Sequence, residues 1–284
     1  MRNAMADATP QSVLRFEHVS VAFGDTVALN DVSFDLRAGG TRIVYGAAGS
    51  GKSVMLKIAL GLLKPTSGRV FVFGQDTTDL KEKDLFPIRS KMGVLFQEGG
   101  LFDSMTIEDN VAYPLENAVT SRDRKTAIPA EQISGRVHDA LRFVELEQTL
   151  AKFPSELSGG MRRRAGIARA TVNEPPLMLY DSPTAGLDPI TANMIIALII
   201  KARDTKNTTS AIVTHRYQDG QLLANFRYNP QSGHLERSNG NGDGVCARTT
   251  FMVFGEGRLV FEGTQDELDH STDPYVSKFK AVKQ

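Results

Sequence analysis

Runs of apolar residues along the chain predict many short strands separated by helices. Two candidate strands come first, at residues 12–24 and 27–36, and a Gly-containing turn joins them. Val32, Phe34 and Leu36 alternate with polar residues, as in a strand with one buried face. Further apolar runs read as strands at residues 41–45, 69–74, 92–96, 177–181 and 210–214.

Apolar residues at helical spacing predict helices over residues 54–63, 131–146 and 191–203. A short helix over residues 80–90 is expected to be interrupted by Pro87, because proline cannot donate the helical hydrogen bond. Strands that alternate with helices in this way indicate an α/β fold.

Residues 104–156 differ from the rest, because polar residues and helix formers replace the strand pattern. Within them, residues 121–126 are charged and read as a surface loop. The stretch is therefore predicted to be a helical insertion between two strand-bearing halves. Near the C terminus the pattern predicts a hairpin over residues 250–263 and short helices over residues 266–270 and 274–280.

The composition narrows the class of protein. With 284 residues, the chain can form one large α/β domain or one domain with an inserted subdomain. Lys plus Arg equals Asp plus Glu at 33 each, so no global charge recruits nucleic acid or an anionic membrane. The single cysteine, Cys246, excludes an intramolecular disulfide. Residues 1–10 lack a signal-peptide core, and the apolar run 194–200 is too short to span a bilayer, which predicts a cytoplasmic protein.

Residues 46–53 read GAAGSGKS and fit the pattern G-x-x-x-x-G-K-[ST] at every fixed position. We call them the phosphate loop, because a predicted strand before them and a predicted helix after them give the pattern its meaning. Glycines let backbone N–H groups turn toward one phosphate chain, and the helix N terminus adds a positive dipole end. Lys52 can reach the β- and γ-phosphates, and the Ser53 hydroxyl can ligate Mg²⁺. The alternative, a chance glycine-rich turn, does not account for these flanks.

Two side chains at predicted strand ends could meet the same nucleotide. Phe23 ends the first strand and could stack on a purine base, although an aromatic residue in a strand equally often packs in a core. Gln97 follows the strand at 92–96, and ligands of parallel α/β sheets lie beyond the carboxyl ends of strands. A solvated loop glutamine would show the same spacing, so both alternatives stay open on the residues alone.

Residues 157–170 read LSGGMRRRAGIARA and open a helix whose first turn offers free N–H groups and a hydroxyl. That helix end is a second candidate anion site. The three arginines at 162–164 could be read as a nucleic-acid patch. Successive positions point in different directions around a helix, however, so no nucleic acid is expected as a partner. His138 has no second candidate ligand at metal spacing and reads as an ordinary histidine.

A carboxylate ends the apolar run at residues 177–181. Asp181 would lie beyond a buried strand, where it could bind the Mg²⁺ that Ser53 holds. The sequence SPTAGLDP follows, which includes Asp188, and His215 comes at the end of the next predicted strand. These residues extend the candidate nucleotide site beyond the phosphate loop.

Together the motifs resemble those of the ATP-binding cassette (ABC) ATPases. The motifs match, in order, that family's Walker A, Q-loop, signature, Walker B, D-loop and switch histidine: residues 46–53, Gln97, residues 157–160, Asp181, Asp188 and His215. Residues 52–65, 95–115 and 159–169 further resemble the Mla/Mkl-type ATPases. Those ATPases drive bacterial phospholipid transporters built with a membrane permease and an MCE-domain lipid-binding protein.

The resemblance implies an α/β P-loop NTPase fold of ABC type. It has a mixed β core, an N-terminal antiparallel β subdomain and an inserted α-helical subdomain. The ATPase domain is expected over residues 12–249, with the helical subdomain at about 98–172 and a variable polar insertion at about 216–249. A disordered tail at residues 1–11 would precede it, and residues 250–284 would complete it.

The resemblance also implies a role for each motif. ATP would be sandwiched in a homodimer, between the phosphate loop of one subunit and the signature of the second ATPase subunit. The residues implied to bind ATP are Phe23, Gly46, Ala47, Ala48, Gly49, Ser50, Gly51, Lys52, Ser53, Val54, Ser158, Gly159, Gly160 and Asp188. Mg²⁺ would be held by Ser53, Gln97 and Asp181, and the catalytic positions are Gln97, Ser182 and His215. The permease would hold the subunit at the inner face of the cell membrane.

One residue departs from the family pattern. The residue after the Walker B aspartate is a glutamate in the family, where it polarises the attacking water, and here it is Ser182. A serine hydroxyl can orient a water but cannot accept its proton at neutral pH, and a general base is worth about 10²–10⁴-fold in rate. We therefore expect normal ATP binding with weakened hydrolysis, unless Glu98 or a different subunit supplies the carboxylate.

Three functions follow from these observations. The first is an ATPase subunit that energises a lipid transporter, and the second is an ATP-binding module with little turnover that regulates or assembles a complex. The third, a soluble ABC protein of translation or DNA repair, usually has two cassettes or a coiled coil, and this chain has neither.

Residues 238–244 (SNGNGDG) contain Asn and Asp but fit no EF-hand spacing, so they read as a solvated loop.

Overall fold

The computed structural model describes residues 11–117, 128–238 and 248–280. The predictions for the N-terminal tail, the 121–126 loop, residues 239–244 and Cys246 lie outside these residues. The strands are β1 (Ser12–Phe23), β2 (Thr26–Arg37), β3 (Thr41–Gly46), β4 (Ser67–Val72), β5 (Gln75–Asp76), β6 (Met92–Leu95), β7 (Leu177–Asp181), β8 (Thr209–Val213), β9 (Phe226–Asn229), β10 (His234–Arg237), β11 (Thr249–Gly255) and β12 (Arg258–Gly263). The helices are α1 (Lys52–Ala59), α2 (Glu82–Arg89), α3 (Ile107–Asn117), α4 (Ala130–Phe143), α5 (Gly159–Thr171), α6 (Pro189–Lys206), α7 (Tyr217–Asn225) and α8 (Gln265–His270).

A six-stranded sheet in the order β12-β11-β3-β8-β7-β6 forms the centre of the domain. All neighbours are parallel except β11 and β12, which pair antiparallel, so the predicted mixed β core is confirmed. Successive residues of β3 point to opposite faces, where Tyr45 joins one hydrophobic core and Val44 the other. Both faces of the sheet are therefore covered.

A second sheet, in the order β2-β1-β4-β5, is entirely antiparallel. Its buried face shares a hydrophobic core with α1 and one face of the central sheet, and Phe16 stacks on Phe34 with ring centroids 4.7 Å apart. This is the predicted N-terminal antiparallel β subdomain. It packs beside the beginning of α1, where the phosphate loop ends.

Helices α3, α4 and α5 occupy the stretch between β6 and β7, where the sequence predicted a helical subdomain. Their apolar faces pack with α6 in the core on the other face of the central sheet. Asn110 is fully buried there, and its side-chain amide donates to the carbonyl oxygens of Phe102, Met105 and Thr106. These bonds attach the entry loop of the insertion to its first helix.

The two predicted helices that flank β4 differ in detail from the structure. The first ends at Ala59 rather than residue 63, because the N–H groups of Gly61 and Leu62 donate back to Ile58 and Lys57 and close the helix. The predicted interruption by Pro87 is wrong, since α2 runs through it. Pro87 leaves one helical hydrogen bond unmade, and the residue whose carbonyl loses it, Lys83, is exposed to water.

The apolar pattern predicts no helix or strand over residues 216–237, where the structure shows helix α7 followed by the β9–β10 hairpin. An ion pair on α6 holds this hairpin. Arg203, 3 % exposed, donates to the carbonyl oxygens of Leu223 and Phe226 and pairs with Asp204 at 2.6 Å. Asp204 in turn accepts the Tyr228 N–H at 2.7 Å.

None of the helices within residues 11–117, 128–238 and 248–280 is long and apolar enough to cross a membrane.

Candidate nucleotide site

Four adjacent parallel strands bring the predicted motifs to one edge of the central sheet. In the order β3-β8-β7-β6, their carboxyl ends lead into the phosphate loop, His215, Asp181 and Gln97. Residues beyond the carboxyl ends of neighbouring parallel strands lie side by side, which is where open α/β sheets bind ligands. The strand order therefore assembles a site that the sequence spreads over more than half its length.

The phosphate loop requires glycine where it turns into α1. Gly51 has a φ of 101°, and a Cβ there would lie 2.6 Å from the Ala28 carbonyl oxygen. Any other residue would strain the backbone and push the loop away from β2. The loop therefore packs tightly against the antiparallel subdomain.

Lys52 folds back over this loop. Its ammonium donates to the carbonyl oxygens of Gly46 at 2.8 Å and Ala47 at 2.7 Å. Burial lowers the pKa of Lys52, and the nearby Asp181 carboxylate raises it against that effect. The predicted phosphate-binding cation and the predicted Mg²⁺-binding carboxylate are thus electrostatic neighbours.

The N terminus of α1 is open to an anion. Gly51 is its N-cap, no side chain caps the helix, and no acidic residue lies in its first turn. The backbone N–H groups of this turn have no helical partner, and Ser53, which lies in the same turn, is exposed. This is the geometry of a phosphate site at a helix N terminus.

Asp181 and Ser182 follow β7. The Ser182 hydroxyl donates to Asp181 Oδ1 at 3.1 Å, and the Ser182 N–H donates to the Val213 carbonyl oxygen. Ser182 has a φ of 50°, which is uncommon for a non-glycine residue. The side chain at the position of the family's glutamate is therefore a short hydroxyl turned toward the Walker B carboxylate.

Asp181 and Ser53 fit Mg²⁺ as a pair of oxygen ligands. Mg²⁺ commonly takes one or two protein ligands and completes its shell with water and substrate phosphates. Within the described residues there is no group of three or more His, Cys, Asp or Glu side chains arranged for a metal.

Gln97 and His215 are both exposed at this edge of the sheet. Glu98, the candidate substitute acid, interacts electrostatically with Arg163. Burial and the nearby Arg162 lower the pKa of the Arg163 guanidinium, and Glu98 raises it. Arg163 lies in α5 and its guanidinium donates to the Ala185 carbonyl oxygen. Glu98 is thus electrostatically coupled to the signature helix.

The predicted signature, residues 158–160, begins α5 as expected. Ser158 is the N-cap, and its hydroxyl oxygen accepts the Met161 N–H at 3.2 Å. Gly160 packs against Thr191 of α6. The serine is exposed, so its hydroxyl proton remains available to a ligand from outside the chain.

Asp188 is the N-cap of α6, and its carboxylate accepts the N–H groups of Ile190 at 3.1 Å and Thr191 at 3.0 Å. The hydrogen bonds from Thr191 and Ile190 hold the pKa of Asp188 below its usual value. A structural capping role therefore accompanies the predicted role in ATP binding.

Phe23 is 52 % exposed at the end of β1, so the alternative of a core aromatic does not hold. Val27, which follows the turn to β2, is similarly exposed. A flat exposed aromatic beside the phosphate loop suits base stacking.

Sequence reasoning missed two groups around the site. Tyr45, the residue before the phosphate loop, is fully buried and donates to the Tyr217 carbonyl oxygen at 3.2 Å. Asp219 is fully buried and accepts hydrogen bonds from Thr184 and Thr214. No sequence pattern pointed to them, because Tyr217 and Thr184 are distant along the chain from Tyr45 and Asp219.

Comparison with known proteins identifies the family. The family model described as ABC transporter matches residues 29–185. The probable ribonucleotide transport ATP-binding protein mkl of Mycobacterium leprae is 40 % identical over 194 residues, which is 68 % of this chain and 54 % of that protein. The chain thus spans about half the length of this relative.

Two other relatives cover more of the chain. The intermembrane phospholipid transport system ATP-binding protein MlaF of Haemophilus influenzae is 30 % identical over 269 residues, 95 % of this chain and 90 % of that protein. The methionine import ATP-binding protein MetN of Latilactobacillus sakei is 40 % identical over 251 residues, 88 % of this chain and 64 % of that protein.

The fold also matches a solved structure, a dimeric post-hydrolysis state of the ATP-binding cassette MJ0796 bound to ADP and Pi. The TM-score is 0.71 at 28 % identity, with 89 % of this chain and 98 % of that chain covered. The chain therefore belongs to the ABC transporter family, and its fold is that of an ATP-binding cassette.

Proposed function

We propose that this chain is the ATPase subunit of a membrane transporter for phospholipids, and that it works as a homodimer held at the inner face of the cell membrane by a permease. The observation that carries the proposal is the convergence of phosphate loop, His215, Asp181 and Gln97 at the ends of four adjacent strands. Similarity to MlaF over 95 % of the chain supports the phospholipid class.

In this proposal the backbone of the phosphate loop and the N terminus of α1 bind the β- and γ-phosphates, and Lys52 leaves its two carbonyl partners to pair with them. Phe23 stacks on the adenine. Asp181, Ser53 and Gln97 hold Mg²⁺, which neutralises charge on the phosphates when it is bound. His215 contacts the γ-phosphate, and Gln97 orients the attacking water.

The second subunit supplies what one chain lacks at this site. The phosphate loop belongs to the central sheet, whereas Ser158 and the N terminus of α5 belong to the helical insertion. Closing two copies head to tail places the signature of each on the ATP of the other. The free hydroxyl proton of Ser158 and the positive end of the α5 dipole then meet the γ-phosphate.

An exposed aromatic cluster next to Gln97 supports docking of a permease. Phe96, Phe102 and Tyr113 are 45 %, 41 % and 37 % exposed, and the rings of Phe102 and Tyr113 lie 4.8 Å apart. Arg169 stacks on Phe102. Exposed aromatic residues with an arginine are typical of interface centres. A permease segment bound here would sense Gln97 directly, and an MCE-domain protein is the further partner proposed for the assembly.

The relatives differ in the cargo that their names state, namely ribonucleotides, phospholipids and methionine. MetN similarity makes methionine import the competing assignment. Co-expression with candidate permease and MCE-domain proteins separates the two assignments. The expected result is a complex that retains phospholipid through purification and whose ATPase rate responds to phospholipid but not to methionine. A complex stimulated by methionine alone would refute the phospholipid proposal.

Ser182 favours a slow cycle. Its hydroxyl is committed to Asp181, and a positioned general base is worth about 10²–10⁴-fold in rate. The second candidate function, an ATP-binding module with little turnover in a regulatory or assembly role, rests on this residue.

Single-turnover hydrolysis tests Ser182. The variant Ser182→Glu is expected to hydrolyse ATP about 100-fold faster than wild type, with unchanged ATP affinity, because it restores a base. Ser182→Gln is the matched control, since an amide of the same length orients water without accepting its proton. Equal rates for wild type and Ser182→Glu would show that another group already supplies the base.

A further inference from the structure

A buried carboxylate lies behind the candidate site. Asp219 is in the first turn of α7, three residues after the N-cap Arg216, and it is 0 % exposed. A buried carboxylate is costly unless charges or hydrogen-bond donors compensate it. The N terminus of α7 supplies part of this compensation through its dipole.

Two threonine hydroxyls also compensate it, and both donate to the same carboxylate oxygen. Thr184 donates to Asp219 Oδ2 at 2.5 Å, and Thr214 donates to it at 2.7 Å. The Arg216 guanidinium lies 3.4 Å from Oδ1, and these two buried atoms have no hydrogen-bond partner among the described residues. The carboxylate therefore fixes two chain segments relative to α7, and its Oδ1 side is less tightly bound.

The two threonines belong to the two segments that carry the chemistry. Thr214 directly precedes His215, and its hydroxyl oxygen accepts the N–H of Arg216 at 3.1 Å. The two residues that flank His215 are therefore hydrogen-bonded to each other. Thr184 lies between Ser182 and Asp188, in the connection from β7 to α6. A shift of either segment must therefore be transmitted to Asp219.

The phosphate loop reaches the same helix turn from the other side. Tyr45 directly precedes Gly46, and its hydroxyl donates to the Tyr217 carbonyl oxygen. Burial, and to a smaller extent the nearby Asp219 carboxylate, raise the pKa of this hydroxyl, so it stays protonated and remains a donor. Gly220 allows this approach, because a Cβ there would collide with the Tyr45 hydroxyl. The first turn of α7 is thus hydrogen-bonded to Tyr45 of β3 and to Thr214 and Thr184, which follow β8 and β7.

We infer that Asp219 is a positioning residue that makes His215 and the segment from Ser182 to Asp188 move as one unit when the site closes on ATP. The inference rests on the proposed nucleotide site. Asp219 makes no contact with ATP in this inference. Loss of its links should therefore lower turnover without changing ATP affinity, which distinguishes its role from that of the phosphate-loop residues.

Turnover of three full-length threonine variants tests the link through Thr184. Thr184→Val keeps the volume and removes the donor, so kcat is expected to fall about tenfold, the size typical of a lost hydrogen bond to a charged group, at unchanged ATP affinity. Thr184→Ser keeps the donor and should retain the wild-type kcat. Thr149→Val is the matched control, because Thr149 is equally buried and bonds only to the nearby Leu146 carbonyl.

Hydrogen exchange of the nucleotide-free chain tests the same link without turnover. In Asp219→Asn, peptides covering residues 183–188 and 214–220 are expected to lose protection together, whereas β3 keeps its protection. Thr184→Val should likewise loosen residues 214–220, although the substitution lies on the other segment. This readout does not depend on ATP, so it still tests Asp219 if the chain fails to bind ATP.

Three results overturn the inference. The first is a Thr184→Val chain with wild-type kcat and wild-type exchange at residues 214–220. The second is loss of kcat in Thr184→Ser equal to that in Thr184→Val. The third is a loss of ATP affinity parallel to kcat, which indicates a general structural defect. If Asp219→Asn fails to fold, the Thr184 pair decides alone.

Discussion

At the residue scale, Lys52 illustrates how the site is held before a nucleotide arrives. Its ammonium already has two carbonyl acceptors in the loop and an electrostatic neighbour in Asp181. The cation is therefore stabilised in place, close to where phosphate oxygens would replace the carbonyls. In the proposed function, ATP would exchange these partners of Lys52 rather than order a free side chain.

Removal of this cation should weaken ATP binding without unfolding the domain. Lys52→Ala is expected to cost about 1.5–3 kcal/mol of binding free energy, which is roughly 10- to 150-fold in Kd, because charge-assisted hydrogen bonds to phosphate are lost. Isothermal titration calorimetry with ATP measures the change. Lys57→Ala is the control, since Lys57 is exposed at the other end of the same helix. An equal loss in both variants would contradict the assignment.

The residues of the site were predictable where chemistry fixes a short spacing, as in the phosphate loop. Asp219 was not, because its partner Thr184 is 35 positions away and only the fold joins them. Tertiary contacts, rather than local pattern, decide such roles.

At the element scale, the strands and most helices followed from apolar periodicity, and the exceptions have local causes. Helix α2 tolerates Pro87 because the carbonyl that loses its bond is exposed. The β9–β10 hairpin escaped prediction because its four-residue strands are only partly buried and show no clean alternation. The Arg203–Asp204 pair hydrogen-bonds it to α6, and Phe226, Tyr228 and Leu235 pack against the hydrophobic core that α6 shares.

This ion pair should contribute strongly to stability. Asp204→Ala leaves the buried Arg203 guanidinium without its carboxylate partner. The expected loss is about 3–5 kcal/mol in the free energy of unfolding. Urea unfolding followed by circular dichroism measures it. Asp139→Ala breaks the Arg142–Asp139 pair, whose side chains are 69 % and 75 % exposed, and should cost less than about 1 kcal/mol. Equal losses would show that burial is irrelevant here.

At the scale of the whole molecule, the phosphate loop and Ser158 are presented by different parts of the domain, the central sheet and the helical insertion. Ser158 is exposed, and no described side chain caps the N terminus of α1. Two anion-binding helix ends on one chain suit a symmetric dimer with two shared sites. The fold thus explains why one nucleotide needs two subunits in the proposed function.

ATP should therefore drive dimerisation. In light scattering, ATP without Mg²⁺ is expected to convert a species of 31.0 kDa into one of twice that mass. Ser158→Arg should abolish this shift and leave ATP affinity of the monomer unchanged, because the signature acts on the partner's nucleotide. Ser155→Arg is the control, an exposed serine just before the signature. A dimer that forms without nucleotide, or that Ser158→Arg leaves intact, would contradict the shared site.

The close approach of Gly220 to the Tyr45 hydroxyl has an evolutionary consequence. Every other residue at position 220 would displace Tyr45, and with it the residue that leads into the phosphate loop. The position therefore accepts no neutral drift, although it touches no nucleotide in the proposed site. Purifying selection on this helix turn would act through packing, and an invariant glycine there would mark a mechanical constraint rather than a ligand.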